Sequence, residues 1–322
     1  MNIVSFTLGL SLLFAPEPPA HVVVVVGAAG ATEYSVPFAQ WADRWRQAAE
    51  RGQAQFTAIG LEGKGEGAAD REALRAKLTE LAGEGTAPLW LVLIGHGTFD
   101  SKTPRFNLRG EDVSANDVAN WLRPLDRPVA VVNCASCSGP FVNALSGPNR
   151  IVVTATRSGS EHNYARFGDY VSAALLDTQA DLDKDEQTSL LEAFLFAAAR
   201  VREFYEGEGR LTTEHALLDD NGDRLGTPPD WFEGVVAVKT AKNGVTPDGL
   251  WANQWHLIRS ASEQQLPAER RARRDQLERQ LAKLRSRKDK LEESDYLNQI
   301  EPLLLELARL YDGESAEGQP AE

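Results

Sequence analysis

The chain has 322 residues, a formal net charge of −13 and a pI near 5.0. That length suits one substantial α/β domain with an appendage. The acidic balance argues against a nucleic-acid partner, because phosphate binding needs a concentrated basic surface. With only Cys134 and Cys137 present, no disulfide framework of the small secreted kind exists.

Residues 3–14 form an apolar run too short to span a bilayer of about 30 Å. The run suits a signal-peptide core with cleavage near Ala15 or Ala20, so 1–20 reads as a signal peptide and the protein as extracytoplasmic, periplasmic or secreted. No other segment has the apolar length of a membrane span.

His21–Val26 is a β-branched run stopped by Gly27-Ala28-Ala29-Gly30, the pattern of a buried strand. Residues 36–50 follow with helical spacing that puts Phe38, Trp41, Trp45 and Ala48 on one stripe. Gln55–Ile59 is a second strand, and a glycine-rich loop at 60–67 leads to a helix over about 70–82. That loop lacks the Lys-Ser/Thr ending of a phosphate cradle and reads as a connection. Residues 88–94 are the most hydrophobic strand and run into Gly95-His96-Gly97. Ser114 and Asp117 have capping-box spacing at the start of a helix over 114–122. Residues 129–132 and 151–154 are two further strands, the first running into Asn133-Cys134-Ala135-Ser136-Cys137-Ser138-Gly139. Continuous apolar strands separated by helices predict a mainly parallel sheet covered on both faces.

Ligands of such sheets collect outside the carboxyl ends of the strands, where His96 and the 133–139 segment both fall. A histidine between glycines is free of crowding and can face a cleft. A nucleophile needs a base in reach and backbone amides for an oxyanion, and a small-residue turn after a strand supplies such amides.

At these residues the chain resembles the caspase–legumain superfamily of peptidases, in which one apolar strand ends in His-Gly and another in Asp/Glu/Gln-Ala-Cys, often followed by x-Ser-Gly. The resemblance covers roughly 22–205. It implies a caspase-like, mainly parallel α/β sheet with helices on both faces, and a peptide or protein substrate. It also implies His96 in proton transfer, Gly97 as an oxyanion donor, and Arg157 and Glu161 on the loop bordering the substrate pocket. An ungapped match puts Ser136 at the nucleophile position, with Cys137 its chemical rival. Related bacterial sequences resembling this one carry serine there, which leaves open a catalytically inactive pseudo-peptidase that binds its partner without cutting it. Cys134-Ala-Ser-Cys137 is also a C-x-x-C, so thiol redox chemistry is a lesser alternative.

Asp181, Asp183, Asp185, Gln187 and Glu192 include side-chain oxygens at calcium-loop spacing ahead of a helix, the pattern of a structural calcium site; the other reading is an acidic helix N-terminus. No other cofactor is implied. Asp219-Asp220-Asn221-Gly222-Asp223 reads as a turn, since Asn-Gly favours one. The caspase-like domain is expected over 21–247. Beyond it, Leu277, Leu281, Leu284 and Leu291, then Ile300, Leu303, Leu304, Leu307 and Leu310, predict a helical hairpin within 248–312, either packed on the domain or contacting a protein partner. The tail 313–322 is polar and reads as disordered.

Overall fold

The computed structural model describes residues 18–61, 68–83, 85–239 and 247–311. The signal-peptide expectation at 1–17, most of the 60–67 loop and the tail lie outside the described residues. In chain order the first half contains β1 (His21–Val26), α1 (Thr32–Arg51), β2 (Gln55–Ile59), α2 (Ala68–Ala82), β3 (Leu89–Ile94), β4 (Gly97–Phe99), β5 (Pro104–Phe106), β6 (Val113–Ser114), α3 (Ala115–Leu122) and β7 (Val129–Asn133). There follow α4 (Phe141–Leu145), β8 (Arg150–Thr154), α5 (Phe167–Ala174), α6 (Leu190–Gly207), β9 (Leu217–Asp219), β10 (Phe232–Glu233), β11 (Val236–Ala237), α7 (Ala261–Gln265), α8 (Ala268–Arg285) and α9 (Glu293–Tyr311).

Six strands form the central sheet in the order β2-β1-β3-β7-β8-β9. The first five run parallel, and β9 closes the edge antiparallel to β8. Alternation of side chains explains why the strands are apolar throughout. Val22, Val24, Trp90, Val92, Ala130 and Val132 join Phe38, Trp41 and Trp45 of α1 and Phe194 of α6 in one core. Val23, Val25, Leu89, Leu91, Leu93 and Val131 join Leu74 and Leu78 of α2 and Val118 of α3 in the other. The protein is therefore a three-layer α/β fold with helices on both faces.

The ends of the helices follow from their sequence. Ser114 and Asp117 close a full capping box on α3, and Ser189 and Glu192 close another on α6. Helix α1 starts at Thr32 and α2 at Ala68, both ahead of the starts at 36 and 70 that periodicity alone suggested.

At the C-terminus α8 and α9 pair through Leu277, Leu281 and Leu307. Gln254 ties this hairpin to the body, its amide donating to the Asp275 carbonyl at 3.0 Å and to Glu278 Oε2 at 2.9 Å. No helix among the described residues is long and apolar enough to cross a membrane.

Candidate functional site

Strands β3 and β7 are neighbours in register, with Leu93 opposite Asn133, so the segments that leave their carboxyl ends run side by side. The Cys134 amide continues the ladder to the Leu93 carbonyl at 2.9 Å, and Asn133 Oδ1 holds the turn by accepting from the Ala135 amide at 3.1 Å. Gly97 is required here. A Cβ on it would lie 2.4 Å from the Ser136 carbonyl oxygen and 3.0 Å from that of Arg105.

His96 is half-buried among Tyr34, Phe38 and Tyr164, at ring-centroid distances of 4.9, 5.3 and 6.2 Å. Its Nε2 lies 3.1 Å from the Ala29 carbonyl. A carbonyl only accepts, so Nε2 carries the hydrogen and Nδ1 is the basic nitrogen of the neutral ring. Burial lowers the pKa of this imidazole, with the Ala29 bond opposing. A ring that resists protonation in the folded state makes stability fall as pH drops below about 6.5 towards the folded pKa. Histidine NMR titration should therefore show His96 titrating below the ordinary imidazole range, and His96→Gln should flatten that part of the stability profile. A His96 pKa above 6.5 would contradict this burial argument.

Ser136 is only 2% exposed. The Gly97 amide donates to Ser136 Oγ at 3.2 Å, and the hydroxyl donates to the Gly97 carbonyl at 3.3 Å. The expected nucleophile and the expected oxyanion donor are thus hydrogen-bonded to each other. His96 forms no hydrogen bond with Ser136 or Cys137.

Cys137 has a different partner, and its backbone is in the left-handed region, with φ of 55° at the turn from β7 to α4. A non-glycine residue there is uncommon, and a strained strand-to-helix turn is one way to present a nucleophile. Its amide donates to the Glu161 carbonyl at 2.9 Å, and its sulfur lies 3.1 Å from His162 Nδ1. Burial first, and the Glu161 charge second, raise the thiol pKa, so the thiol rests protonated. His162 lies in a stretch that resembles a pocket loop, yet nothing local in the sequence singles it out.

Cys134 belongs to the core, where burial drives its thiol pKa far upward. A Cβ on Gly168 would meet Cys134 Cβ at 2.8 Å. Both thiols are free. Cys134 is buried against α5 and Cys137 lies on an imidazole, with no disulfide between them in this structure.

The loop that carries Arg157 and Glu161 is tied inward. Glu161 Oε1 meets His215 Nδ1 at 2.7 Å and Arg157 Nε at 3.4 Å, while Oε2 accepts from the Arg157 and His215 amides at 3.0 and 3.3 Å. This carboxylate is a loop clamp, already matched by its own neighbours. On one side of the loop lies a cavity of about 640 Å³, lined by Arg157, Phe167, Leu195, Arg202, His215 and Phe232 among others. On the other lies a recess of about 430 Å³ with Tyr34, Pro37, Tyr164, Arg166, Tyr205 and Arg210 in its wall.

No family model and no curated protein matches the chain. Solved structures to which the chain is similar include the following three. The Geobacter sulfurreducens protein GSU0716 is 11% identical, with a TM-score of 0.40 over 66% of this chain and 98% of the other. The Drosophila initiator caspase Dronc is 13% identical, with a TM-score of 0.41 over 64% and 81%. Caspase-1 from Spodoptera frugiperda is 10% identical, with a TM-score of 0.39 over 62% and 86%.

The acidic loop divides in two. Oxygens of Asp181, Asp183 and Asp185 come within 4.8 Å of one another. Burial, followed by Glu192 and the other two aspartates, pushes the Asp183 carboxyl up to about 6. Gln187 and Glu192 are engaged elsewhere. Gln187 Oε1 accepts from the Ser260 amide at 3.2 Å and its Nε2 donates to Asp185 at 2.8 Å. Glu192 accepts from the amides of Ser189 and Leu182, each at 2.7 Å, and of Asp183 at 3.2 Å. Its reach backwards to cap α6 accounts for this acid without a metal.

Proposed function

We propose that the chain recognises an extended peptide segment of a protein partner on the ledge formed by the ends of β3 and β7, without cutting it through Ser136. The observation that carries this reading is the closed Ser136–Gly97 pair. A serine is a weak nucleophile unless a base takes its proton, and here that proton is directed to a carbonyl. The Gly97 amide that would stabilise an oxyanion is occupied by the same hydroxyl. The two recesses beside the 155–166 loop, one of them rich in tyrosine and arginine, supply concave walls for side chains. In this reading the exposed Leu297, Leu304 and Leu305 of α9 give a second contact surface for the partner.

A second reading is favoured by one specific observation, the 3.1 Å contact of Cys137 with His162. It is hydrolysis of a peptide bond in which His162 takes the thiol proton, the sulfur attacks the carbonyl carbon, the C–N bond breaks as His162 gives that proton to the departing amine, and water then cleaves the thioester to a carboxylic acid and the free thiol.

Peptidyl probes separate the two. A peptidyl fluorophosphonate should leave Ser136 unmodified, and Ser136→Ala should bind a fluorescent peptide as tightly as the wild type. Labelling of Ser136 that disappears in His96→Ala would defeat the binding reading. Labelling of Cys137 by a peptidyl chloromethyl ketone, with turnover lost in His162→Ala, would establish the second.

A further inference from the structure

The turn that leaves β9 contains a buried charge with no counter-charge. Asp219 is 0% exposed, and its Oδ1 accepts from the Gly222 amide at 3.1 Å. Its Oδ2 is sealed from solvent and accepts no hydrogen bond. The Ser146 hydroxyl and the Gly222 and Arg224 amides ease the charge, but none of them meets Oδ2 in hydrogen-bonding geometry. Among the described residues neither Asp219 nor Asp223 forms an ion pair. A buried carboxylate in that state needs a proton or a cation.

The surrounding sequence places further oxygens around it. Asp219, Asn221 and Asp223 alternate as the first, third and fifth positions of a calcium loop do, and Leu225 offers its main-chain carbonyl at the seventh. The sixth position, where such loops turn sharply, is Arg224 in the left-handed region with φ of 69°. Asn221 Oδ1 accepts from the Asp223 amide and Asp223 Oδ1 from the Leu225 amide, both at 2.8 Å. The other two acids nearby serve a separate purpose. Asp220 accepts from the amides of Gly249, Trp251 and Ala252 at 3.0, 2.9 and 2.8 Å, and Asp248 from those of Asp220 and Asn221 at 2.9 and 3.1 Å.

We propose that Asp219, Asn221, Asp223 and the Leu225 carbonyl hold a divalent cation of the calcium type. Oxygen-only donors on a flexible turn suit calcium rather than a metal that prefers nitrogen or sulfur. The loop continues into Gly226, Pro228 and Pro229, which line the larger cavity, so the cation stiffens one wall of that cavity.

Titration of the chelator-stripped full chain with calcium chloride, by calorimetry and thermal unfolding, tests this site apart from the 181–185 loop. Wild type should bind calcium with a rise in Tm. Asp223→Ala, a change at a half-exposed position, should bind one equivalent fewer or at least about tenfold more weakly and lose most of that rise. Asp183→Asn should retain the rise that depends on Asp223. Should Asp223→Ala fail to fold, Asp223→Asn, which keeps one side-chain oxygen, should show the same weakening in smaller measure. Unchanged stoichiometry and Tm shift in the Asp223 variants, no calcium binding by the wild type, or complete loss of the shift in Asp183→Asn alone would overturn the assignment.

Discussion

Replacing Glu214 by alanine is expected to destabilise the protein by about 3–5 kcal/mol, because it strips buried donors of their acceptor. Glu214 is 3% exposed. Its carboxylate accepts from the Arg166 amide at 2.8 Å, the Phe167 amide at 3.0 Å and the Tyr205 hydroxyl at 3.3 Å. These bonds fix the start of α5 and join Phe167 and Glu214 of the larger cavity to Arg166 and Tyr205 of the smaller recess, so peptide binding should weaken along with Tm. Glu214→Gln keeps one acceptor oxygen and should fall between. Burial raises the Glu214 pKa above 4.5. The folded state then holds the proton more tightly than the unfolded chain, so this residue's contribution declines as pH rises from about 4.5 through the folded pKa. Glu214→Gln should remove that slope in unfolding measured upward from about pH 4.5. A Glu214→Ala protein as stable as the wild type would show that the 164–167 segment does not depend on this carboxylate.

The second large effect is expected at Gly97. A methyl group there would sit 2.4 Å from the Ser136 carbonyl oxygen, and both contacting groups are backbone, so neither rotates away. The ends of β3 and β7 must separate, at a cost of roughly 1–3 kcal/mol. The Ser136–Gly97 pair should open with them, and peptide affinity should drop. Gly207→Ala, at a position with nothing within 4 Å, is the matched control and should leave Tm and affinity unchanged or slightly improve Tm. Equal behaviour of the two variants would mean that the strand ends tolerate separation.

Much of this arrangement is legible in the residues themselves. The unbroken apolar runs at 21–26 and 89–94 declare strands buried on both faces, and the structure divides each run alternately between the two cores. The placement of His96 and Ser136 at neighbouring strand ends follows from the same pattern. What stays hidden is which polar group meets which. Cys137 finds His162 across 25 residues and Glu161 finds His215 across 54, pairings set by how the 155–166 loop folds back rather than by any local period. The partners of His96 and Glu161 stay hidden for the same reason. Ala29, on the loop after β1, takes the His96 ring hydrogen, and the acid that resembles a pocket residue is matched by its own loop and His215.

The acidic segments illustrate the converse. Spacing groups Asp181, Asp183, Asp185, Gln187 and Glu192 as one oxygen set, yet Glu192 serves the α6 cap and Gln187 bridges to Ser260. The 219–223 turn reads locally as Asn-Gly punctuation, and only its burial reveals an unmatched carboxylate at Asp219. Burial of a single side chain is a tertiary property, invisible to a motif.

The most direct test of the central claim is to incubate the full chain with a mixed peptide library and to identify both bound peptides and new termini by mass spectrometry. Recognition without serine-dependent cleavage predicts a reproducible set of bound, intact peptides and the same set with Ser136→Ala. New termini that appear with the wild type and vanish in both Ser136→Ala and His96→Ala would contradict it.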